Sequence, residues 1–156
     1  MKFDTGIKDQ DREKIAQGLA KILADTYVLS AKTQGFHWNV KGSHFYPLHK
    51  MFEEQYDQLH EALDPLAERV RALGYTAPSS LQDILKLTSL KEQEKVVSAH
   101  TMLGELLEGH ETLSRSIRDT LGLIDNTRDD VTADFLTERL SEHEKTAWML
   151  RATLEE

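Results

Sequence analysis

Apolar residues recur every three or four positions along most of this chain, which is the spacing of one face of an α-helix. Between positions 9 and 35, Ile15, Leu19, Ile22 and Thr26 form such a stripe, and neighbouring Leu and Ala residues widen it. No segment shows the strict alternation of apolar and polar residues that is typical of a half-buried strand. The pattern therefore predicts an all-α chain whose first long helix spans residues 9–35.

A second apolar pattern covers residues 43–73 and stops at Gly74, a residue type that commonly follows a helix end. Residues 75–90, with the sequence YTAPSSLQDILKLTSL, then form a predicted crossover. Its middle can hold one short helix that begins at Ser79 or Ser80, because serine is a favourable N-cap residue. The first two long helices are thus separated from the rest of the chain by a long connection.

Two further helices follow the crossover. The sequence SLKE at residues 89–92 has the form of a capping box and predicts a third helix that runs to about Leu121. The segment GLIDNTRDD is the predicted turn, and a fourth helix continues to about Leu154. Two helical hairpins joined by one long crossover have the connectivity of a ferritin-like four-helix bundle, although other four-helix folds also allow it. We expect a single domain over residues 1–156, with a short tail at residues 1–8.

The composition narrows the classes of function. The chain has 156 residues, a formal charge of −8 and no cysteine, so disulfides, thiolate metal sites and thiol nucleophiles are excluded. An acidic surface does not favour the phosphate groups of nucleic acids or anionic lipids. No apolar run approaches the ~20 residues of a membrane span, and the N-terminus lacks the apolar stretch of a signal peptide. We therefore expect a soluble cytoplasmic protein.

Histidine and acidic side chains share one face of the second predicted helix. His49 and Glu53 are four residues apart, as are Asp64 and Glu68, and all four project to the same side of a helix with 3.6 residues per turn. His37 lies at the end of the first helix, in line with its apolar stripe. Imidazole and carboxylate groups without thiolate suit Fe(II), Mn(II) or Zn(II), so these five residues are candidate metal ligands.

The five candidates cannot all reach one ion within one chain. Glu53 and Asp64 are about 16 Å apart along a helix, whereas metal–ligand bonds are about 2 Å long. The two pairs are symmetric about a point between residues 58 and 59. Two copies of the helix that cross antiparallel on a two-fold axis would therefore bring Glu53 to a second copy of Asp64, and His49 to a second copy of Glu68. The spacing predicts two metal sites at a dimer interface; the alternative is that these are ordinary solvated side chains.

The motifs around these residues resemble the signature of the Dps family of mini-ferritins. HWNVKGSHF begins at His37, LHKMFEE contains His49 and Glu53, and DPLAER contains Asp64 and Glu68. The C-terminal segment TADFLTERLSEHEKTAWMLRA is similar to the last helix of the family, so the resemblance covers nearly the whole chain. It implies a ferroxidase centre of those five residues, in which two histidines and the first carboxylate come from one subunit and the last two carboxylates from its two-fold mate.

The resemblance further implies a hollow dodecamer that oxidises Fe(II), preferably with hydrogen peroxide but also with O₂, and stores ferric mineral inside. Trp38, beside the first histidine ligand, would intercept stray oxidising equivalents; packing at the dimer interface is its alternative role. Asp130 and Asp134 would line a pore for iron entry. His44 is expected to be an ordinary surface histidine, and His60 is expected to pack near the two-fold axis.

Two positions depart from the family pattern. Many members have aspartate where this chain has Glu53, whose longer side chain should shift the bound metal. Pro65 follows Asp64 inside the second predicted helix, where it removes one helical hydrogen bond and disfavours helical dihedral angles at the preceding residue. Because the apolar pattern continues beyond Pro65, we expect a kinked helix rather than one that ends there.

Nucleic-acid binding and the larger ferritins are less well supported. Family members that bind DNA directly often use a flexible lysine-rich tail, but the first twelve residues carry equal numbers of basic and acidic side chains and the chain finishes LEE. We therefore expect no direct DNA binding. The chain has no Glu-x-x-His motif, which argues against a di-iron site within one bundle. Two alternatives stay open: a DNA-compacting protein with secondary iron handling, and a structural helical dimer with a zinc-type interface site.

Overall fold

The computed structural model describes residues 3–155, and within them the chain forms helices and no strand. The first two residues of the predicted tail, and Glu156, lie outside the described residues. None of the helices in residues 3–155 is both long enough and apolar enough to cross a membrane. The helices are α1 (Asp9–Asn39), α2 (Phe45–Glu61), α3 (Leu63–Ala72), α4 (Leu81–Leu87), α5 (Ala99–Ile124) and α6 (Asp130–Leu154).

Helices α2 and α3 follow one another along α1 and form the second column of a four-column bundle. At one end, the guanidinium of Arg12 donates a hydrogen bond to the carbonyl of Leu73, just after α3, at 2.8 Å. At the other end, the imidazole of His37 bonds to the carbonyl of His49 on α2, also at 2.8 Å. Because the start of α1 meets the end of α3, the two columns run antiparallel and form the first hairpin.

Helix α5 also runs antiparallel to α1, and α6 returns along α5 as the second hairpin. Lys21 donates a hydrogen bond to Ser116 at 3.0 Å, and further along α1 Lys32 pairs with Glu105 at 3.3 Å. The all-α prediction of two hairpins joined by a long crossover is confirmed. All four columns contribute to one core, which includes Leu19, Leu29, Phe52, Leu66, Leu106, Leu136 and Leu150.

The second predicted helix is interrupted at one residue, Ala62, three positions before Pro65. Proline has no N–H to donate to the carbonyl of Glu61, and its ring crowds that turn. The amide of Ala62 accordingly bonds to the nearer carbonyl of Leu59 at 3.2 Å, and that of Leu66 resumes the helical pattern by bonding to the carbonyl of Ala62. The interruption is confined to this one residue, and the helical path continues beyond the proline, as expected for a kinked helix.

The crossover contains the predicted short helix, α4. Ser80 is its N-cap, and the Ser80 hydroxyl accepts a hydrogen bond from the amide of Asp83 at 3.1 Å. On its inner side, Ile84 packs against Ala24 and Val28 of α1. The crossover is thus held against the outside of the first hairpin.

The predicted start of the third long helix at residues 89–92 is wrong. Helix α5 begins at Ala99, and its N-cap is Ser98 rather than Ser89. Ser89 is instead bound by Asp25 of α1, a fully buried carboxylate: its amide donates to Asp25 at 2.6 Å and its hydroxyl donates at 2.9 Å. A side chain that is distant in sequence therefore takes the residue that would have capped the helix.

Asp25 collects four hydrogen bonds from three residues. Besides the two from Ser89, the hydroxyl of Thr88 donates at 2.8 Å and the ammonium of Lys21 donates at 3.3 Å. A buried carboxylate is stable only when it is hydrogen-bonded in this way. The contact therefore fastens the end of the crossover to the middle of α1.

Replacing Asp25 with alanine should lower the free energy of unfolding by about 3 kcal/mol, because several buried donors lose a charged acceptor. Thermal unfolding followed by circular dichroism measures this loss. Asp119→Ala is the matched control, since Asp119 is exposed on α5. Equal melting temperatures for the two variants would contradict the anchoring role of Asp25.

Candidate metal centre

The imidazoles of His37 and His49 are joined by a reciprocal pair of hydrogen bonds. His37 lies in the last turn of α1 and is 8 % exposed, and His49 lies in the first half of α2. Nδ1 of His37 donates to the carbonyl of His49, and Nδ1 of His49 donates to the carbonyl of His37, each at 2.8 Å. The two side chains thus close the first hairpin at the end where its loop lies.

These bonds determine which nitrogen of each ring can bind a metal. A carbonyl oxygen only accepts hydrogen bonds, so Nδ1 must carry the proton in both rings. In the neutral rings the lone pair is then on Nε2. A backbone carbonyl bonded to one ring nitrogen while the other ligates a metal is the usual support for a histidine ligand. Both His37 and His49 therefore have the tautomer that a cation requires.

Aromatic contacts orient the two imidazoles. The rings of His37 and His49 are stacked with centroids 3.8 Å apart and an interplanar angle of 16°. Phe45 stacks on His49 at 5.1 Å, and the edge of Tyr56 meets His37 at 5.3 Å. The aromatic residues around the two histidines therefore limit the rotation of both rings.

Glu53 lies one turn after His49 and belongs to the same electrostatic environment. Lys50 donates a hydrogen bond to Oε2 of Glu53 at 2.6 Å. This hydrogen bond is the main cause that lowers the pKa of Glu53 below its ordinary value, and the charges of Lys50, His37 and His49 act in the same direction. Glu53 is therefore anionic at neutral pH, but one of its oxygens already has a cationic partner.

The other two candidate ligands lie apart from this group. Asp64 and Glu68 are exposed on α3, beyond the interruption at Ala62. Within residues 3–155 of one chain, no three His, Asp or Glu side chains converge closely enough to hold a metal ion. A site that uses Asp64 or Glu68 together with the histidines therefore stays a prediction that requires a second chain.

The remaining candidates are solvent-facing. Trp38 is 68 % exposed. His44, which lies between His37 and His49 in the sequence, and His60, which follows them, are also exposed. Asp130 and Asp134 are exposed on the first turns of α6. Their exposure leaves them available to ions or to another chain.

Their neighbour Asp129 has a structural role instead. It is buried as the N-cap of α6 and accepts a hydrogen bond from the amide of Thr132 at 3.1 Å. The guanidinium of Arg69, on α3, donates one hydrogen bond to the Asp129 carboxylate at 2.5 Å and another to the Thr132 hydroxyl at 2.7 Å. Of the aspartates at the start of α6, Asp129 is therefore a buried helix cap, whereas Asp130 and Asp134 are exposed and remain candidates for a pore lining.

One histidine pair was not singled out from the sequence. His110 of α5 and His143 of α6 are both buried, with their Nδ1 atoms 2.9 Å apart. In the sequence, the one feature that indicates burial of these histidines is their position in apolar stripes; His110, for example, lies between Leu106 and Leu113. Such positions are more often occupied by core residues than by ligands, so the pattern alone gave no reason to select them.

Comparisons with known proteins agree with this architecture. A family model described as a ferritin-like domain matches residues 16–156. The DNA protection during starvation protein 2 of Bacillus anthracis is 33% identical over 91% of this chain and 97% of its own length. A low temperature-induced protein of a Nostoc species is 42% identical, over 99% of this chain and 87% of its own length.

A solved structure is similar throughout. The Dps protein from Vibrio cholerae O1, described as a member of a broad superfamily of ferritin-like diiron-carboxylate proteins, superposes with a TM-score of 0.94 at 33% identity. The match covers 99% of this chain and 98% of that one. The fold of the chain therefore corresponds to that of the Vibrio cholerae protein over nearly the whole of both chains.

Lys50 should weaken the binding of a metal ion beside the histidines. Its ammonium group occupies one oxygen of Glu53, and its positive charge repels a cation from that carboxylate. We expect Lys50→Gln to bind Fe(II) more tightly by up to about fivefold, the upper range for an exposed ion pair. Anaerobic titration calorimetry measures the affinity. Lys145→Gln, an equal change of charge at an exposed position of α6, is the control. Weaker binding by Lys50→Gln, or equal binding by both variants, would contradict this role.

Proposed function

The chain belongs to the Dps group of ferritin-like proteins, and on this premise we propose that it oxidises Fe(II) at sites between two subunits and stores the ferric product. The proposed assembly is a hollow dodecamer built from two-fold dimers. Fe(II) is the substrate, and hydrogen peroxide, or O₂ in its place, is the oxidant. The proposed role in the cell is protection from the damage that iron and peroxide cause together.

The observation that carries the proposal is the reciprocal pair formed by His37 and His49. Two imidazoles that each donate Nδ1–H to a backbone carbonyl, with 3.8 Å between ring centroids, present two Nε2 atoms in a fixed relation. A core-filling pair has no need for this tautomer. Nitrogen and oxygen ligands without sulfur suit redox iron that keeps open coordination positions.

We propose that Glu53 adds an oxygen ligand on the same chain, and that Asp64 and Glu68 are supplied by a two-fold related copy. Both carboxylates are exposed on α3 and available to a partner. Asp64 also lines a surface groove with His60 and Leu81, and Leu81 is 65 % exposed. An exposed apolar residue beside unpaired carboxylates is consistent with a face that a second copy covers.

In the reaction, two Fe(II) ions each lose one electron, and one molecule of hydrogen peroxide accepts both and becomes two hydroxide equivalents. Hydrolysis of the ferric product releases protons as the mineral forms. The protein supplies anionic and imidazole ligands that stabilise the higher charge of Fe(III). Trp38, exposed beside His37, is the proposed donor of an electron to any stray oxidising species, and Asp130 with Asp134 are the proposed lining of the entry pore.

Loss of either half of the site should abolish rapid oxidation. One variant carries His37→Ala and His49→Ala, and the other carries Asp64→Ala and Glu68→Ala. Ferric absorbance after anaerobic addition of Fe(II) and peroxide is expected to rise at least about tenfold more slowly in both, since even the loss of a group that only supports a metal ligand commonly reduces activity by about tenfold or more. His44→Ala with His100→Ala, which removes two exposed histidines, should leave the rate unchanged.

Co-expression of the two inactive variants distinguishes a shared site from a site within one chain. If each site takes its histidines from one chain and its last two carboxylates from another, random pairing leaves about one site in four with both halves intact. Activity should therefore return to about a quarter of the wild-type rate in assemblies of roughly twelve 17.8 kDa chains. No recovery in assemblies of that size would exclude the intersubunit site.

Direct binding to DNA is not part of the proposal. The formal charge is −8, and Arg12 is already used: it bonds the carbonyl of Leu73, pairs with Asp9 at 2.5 Å, and stacks over Phe3 with 4.1 Å to the ring centroid. This side chain, 5 % exposed, is not free to contact phosphate.

In a gel-shift series we expect no retardation of duplex DNA at physiological salt, because the acidic surface repels phosphate. A variant in which Asp4, Asp9 and Asp11 are changed to lysine is the positive comparison, and it should gain salt-sensitive binding. Tight binding by the unmodified protein at physiological salt would favour the DNA-compacting alternative.

A further inference from the structure

Three polar side chains lie inside the apolar interior of the bundle. Gln55 of α2, His110 of α5 and His143 of α6 are 5 %, 2 % and 1 % exposed. Each belongs to the core-facing stripe of its helix; on α2, for example, Gln55 follows Leu48 and Phe52. Polar groups at such positions are costly unless they are hydrogen-bonded.

The register of the helices places the three residues at nearly the same height. Arg69 of α3 contacts Asp129 at the start of α6. Gln55 lies 14 residues before Arg69, and His143 lies 14 residues after Asp129. The column of α2 and α3 runs opposite to α6, because both α2–α3 and α5 are antiparallel to α1 and α6 returns along α5. Equal steps in opposite chain directions therefore place Gln55 and His143 at the same height along the bundle axis, to within about one helical turn.

The contact between the two imidazoles determines their tautomers. Nδ1 of His110 and Nδ1 of His143 are 2.9 Å apart, and a hydrogen bond at this distance has room for one proton between them. One ring therefore donates from Nδ1 and has its lone pair on Nε2. The other ring accepts at Nδ1 and carries its proton on Nε2. Together the pair presents one acceptor and one donor to the interior.

Neither of these nitrogens has a partner. Within the described part of the chain, Nε2 of His110, Nε2 of His143 and both amide atoms of Gln55 are buried without a hydrogen bond. An amide offers both donors and an acceptor. The unpaired atoms are therefore a neutral set in which donors and acceptors are balanced.

The surroundings keep both histidines uncharged. Burial lowers the pKa of His110 to about 3, with a smaller effect of the same sign from the charge of Arg139. Burial is also the main cause that lowers the pKa of His143 well below its ordinary value. The charges of His110 and Arg139 have smaller effects in the same direction. Arg139 of α6, itself flanked by Glu138 and Glu142, is the charged group that acts on the pair. The α2 group at this height, Gln55, is neutral.

We propose that Gln55, His110 and His143 form a closed binding site for ordered water in the interior of the bundle. A buried water needs two to four polar partners, and it both donates and accepts, as this set requires. A metal ion does not match the set: the nearby guanidinium repels it, and one of the two Nε2 atoms carries a proton. The site is distinct from the pair formed by His37 and His49 at the end of α1.

A structure of the assembled protein at better than about 2 Å resolution tests the proposal directly. Solvent density within hydrogen-bond distance, about 2.7–3.2 Å, of the two Nε2 atoms and of the Gln55 amide is the expected result. The Gln55→Leu variant should lose the water bonded to the amide and retain the imidazole contact. A dry interior in the wild type, or an anomalous peak that identifies a metal between the rings, would overturn the proposal.

The dependence of stability on pH gives a second measurement. In the unfolded chain both histidines bind protons below about pH 6.5, whereas in the folded chain His110 does so only near pH 3. The contribution of the neutral pair to the free energy of unfolding is therefore fully present above pH 6.5, and it is lost as the pH falls from 6.5 towards 3. Near pH 4.5, wild-type unfolding should take up more protons than unfolding of a variant with both residues changed to leucine: about one from His110, whose folded pKa is about 3, and an additional amount from His143, whose pKa is also lowered.

The matched control changes His100, which is exposed on α5, to glutamine, and it should retain the full proton uptake of the wild type. Equal uptake by the wild type and the double leucine variant would show that the pair is not held neutral and would overturn the assignment. The crystallographic test uses the wild type, so it decides the proposal even where the leucine variant does not fold.

Discussion

The reciprocal hydrogen bonds between His37 and His49 are the constraint on which the first hairpin and its candidate site both depend. Each ring binds the backbone of the other residue, so the end of α1 cannot slide along α2 without breaking two bonds. The same register brings Phe36 and Phe52 together in the core at 6.4 Å between ring centroids. The contact that orients the candidate ligands therefore also aligns the helices.

Burial separates the acidic residues of this chain into two groups with different roles. Asp25 and Asp129 are buried and fully bonded: the first fastens the crossover to α1, and the second caps α6 and binds Arg69. Asp64 and Glu68 are exposed and keep their oxygens free for another partner. A carboxylate in the interior must satisfy its own hydrogen bonds, which leaves only the surface carboxylates as candidates for metal chemistry.

The two histidine pairs differ because their acceptors differ. At the end of α1 the acceptors are carbonyl oxygens, so both rings take the same tautomer and both Nε2 atoms are free to ligate a cation. Between α5 and α6 the acceptor is another imidazole, so the rings take opposite tautomers, and burial keeps them neutral. The same residue type thus has a tautomer that suits a metal ligand at one position and one that does not at the other.

The sequence by itself determined the helices and the candidate ligands, since helical periodicity and four-residue spacings are local properties of the chain. It predicted the short helix after Ser80 and the disturbance near Pro65, and it selected His37 and His49 together. Tertiary structure alone decided the start of α5, because Asp25, 64 residues away, binds Ser89. It also decided the tautomers of both histidine pairs, which depend on acceptors brought close only by the packing of the helices.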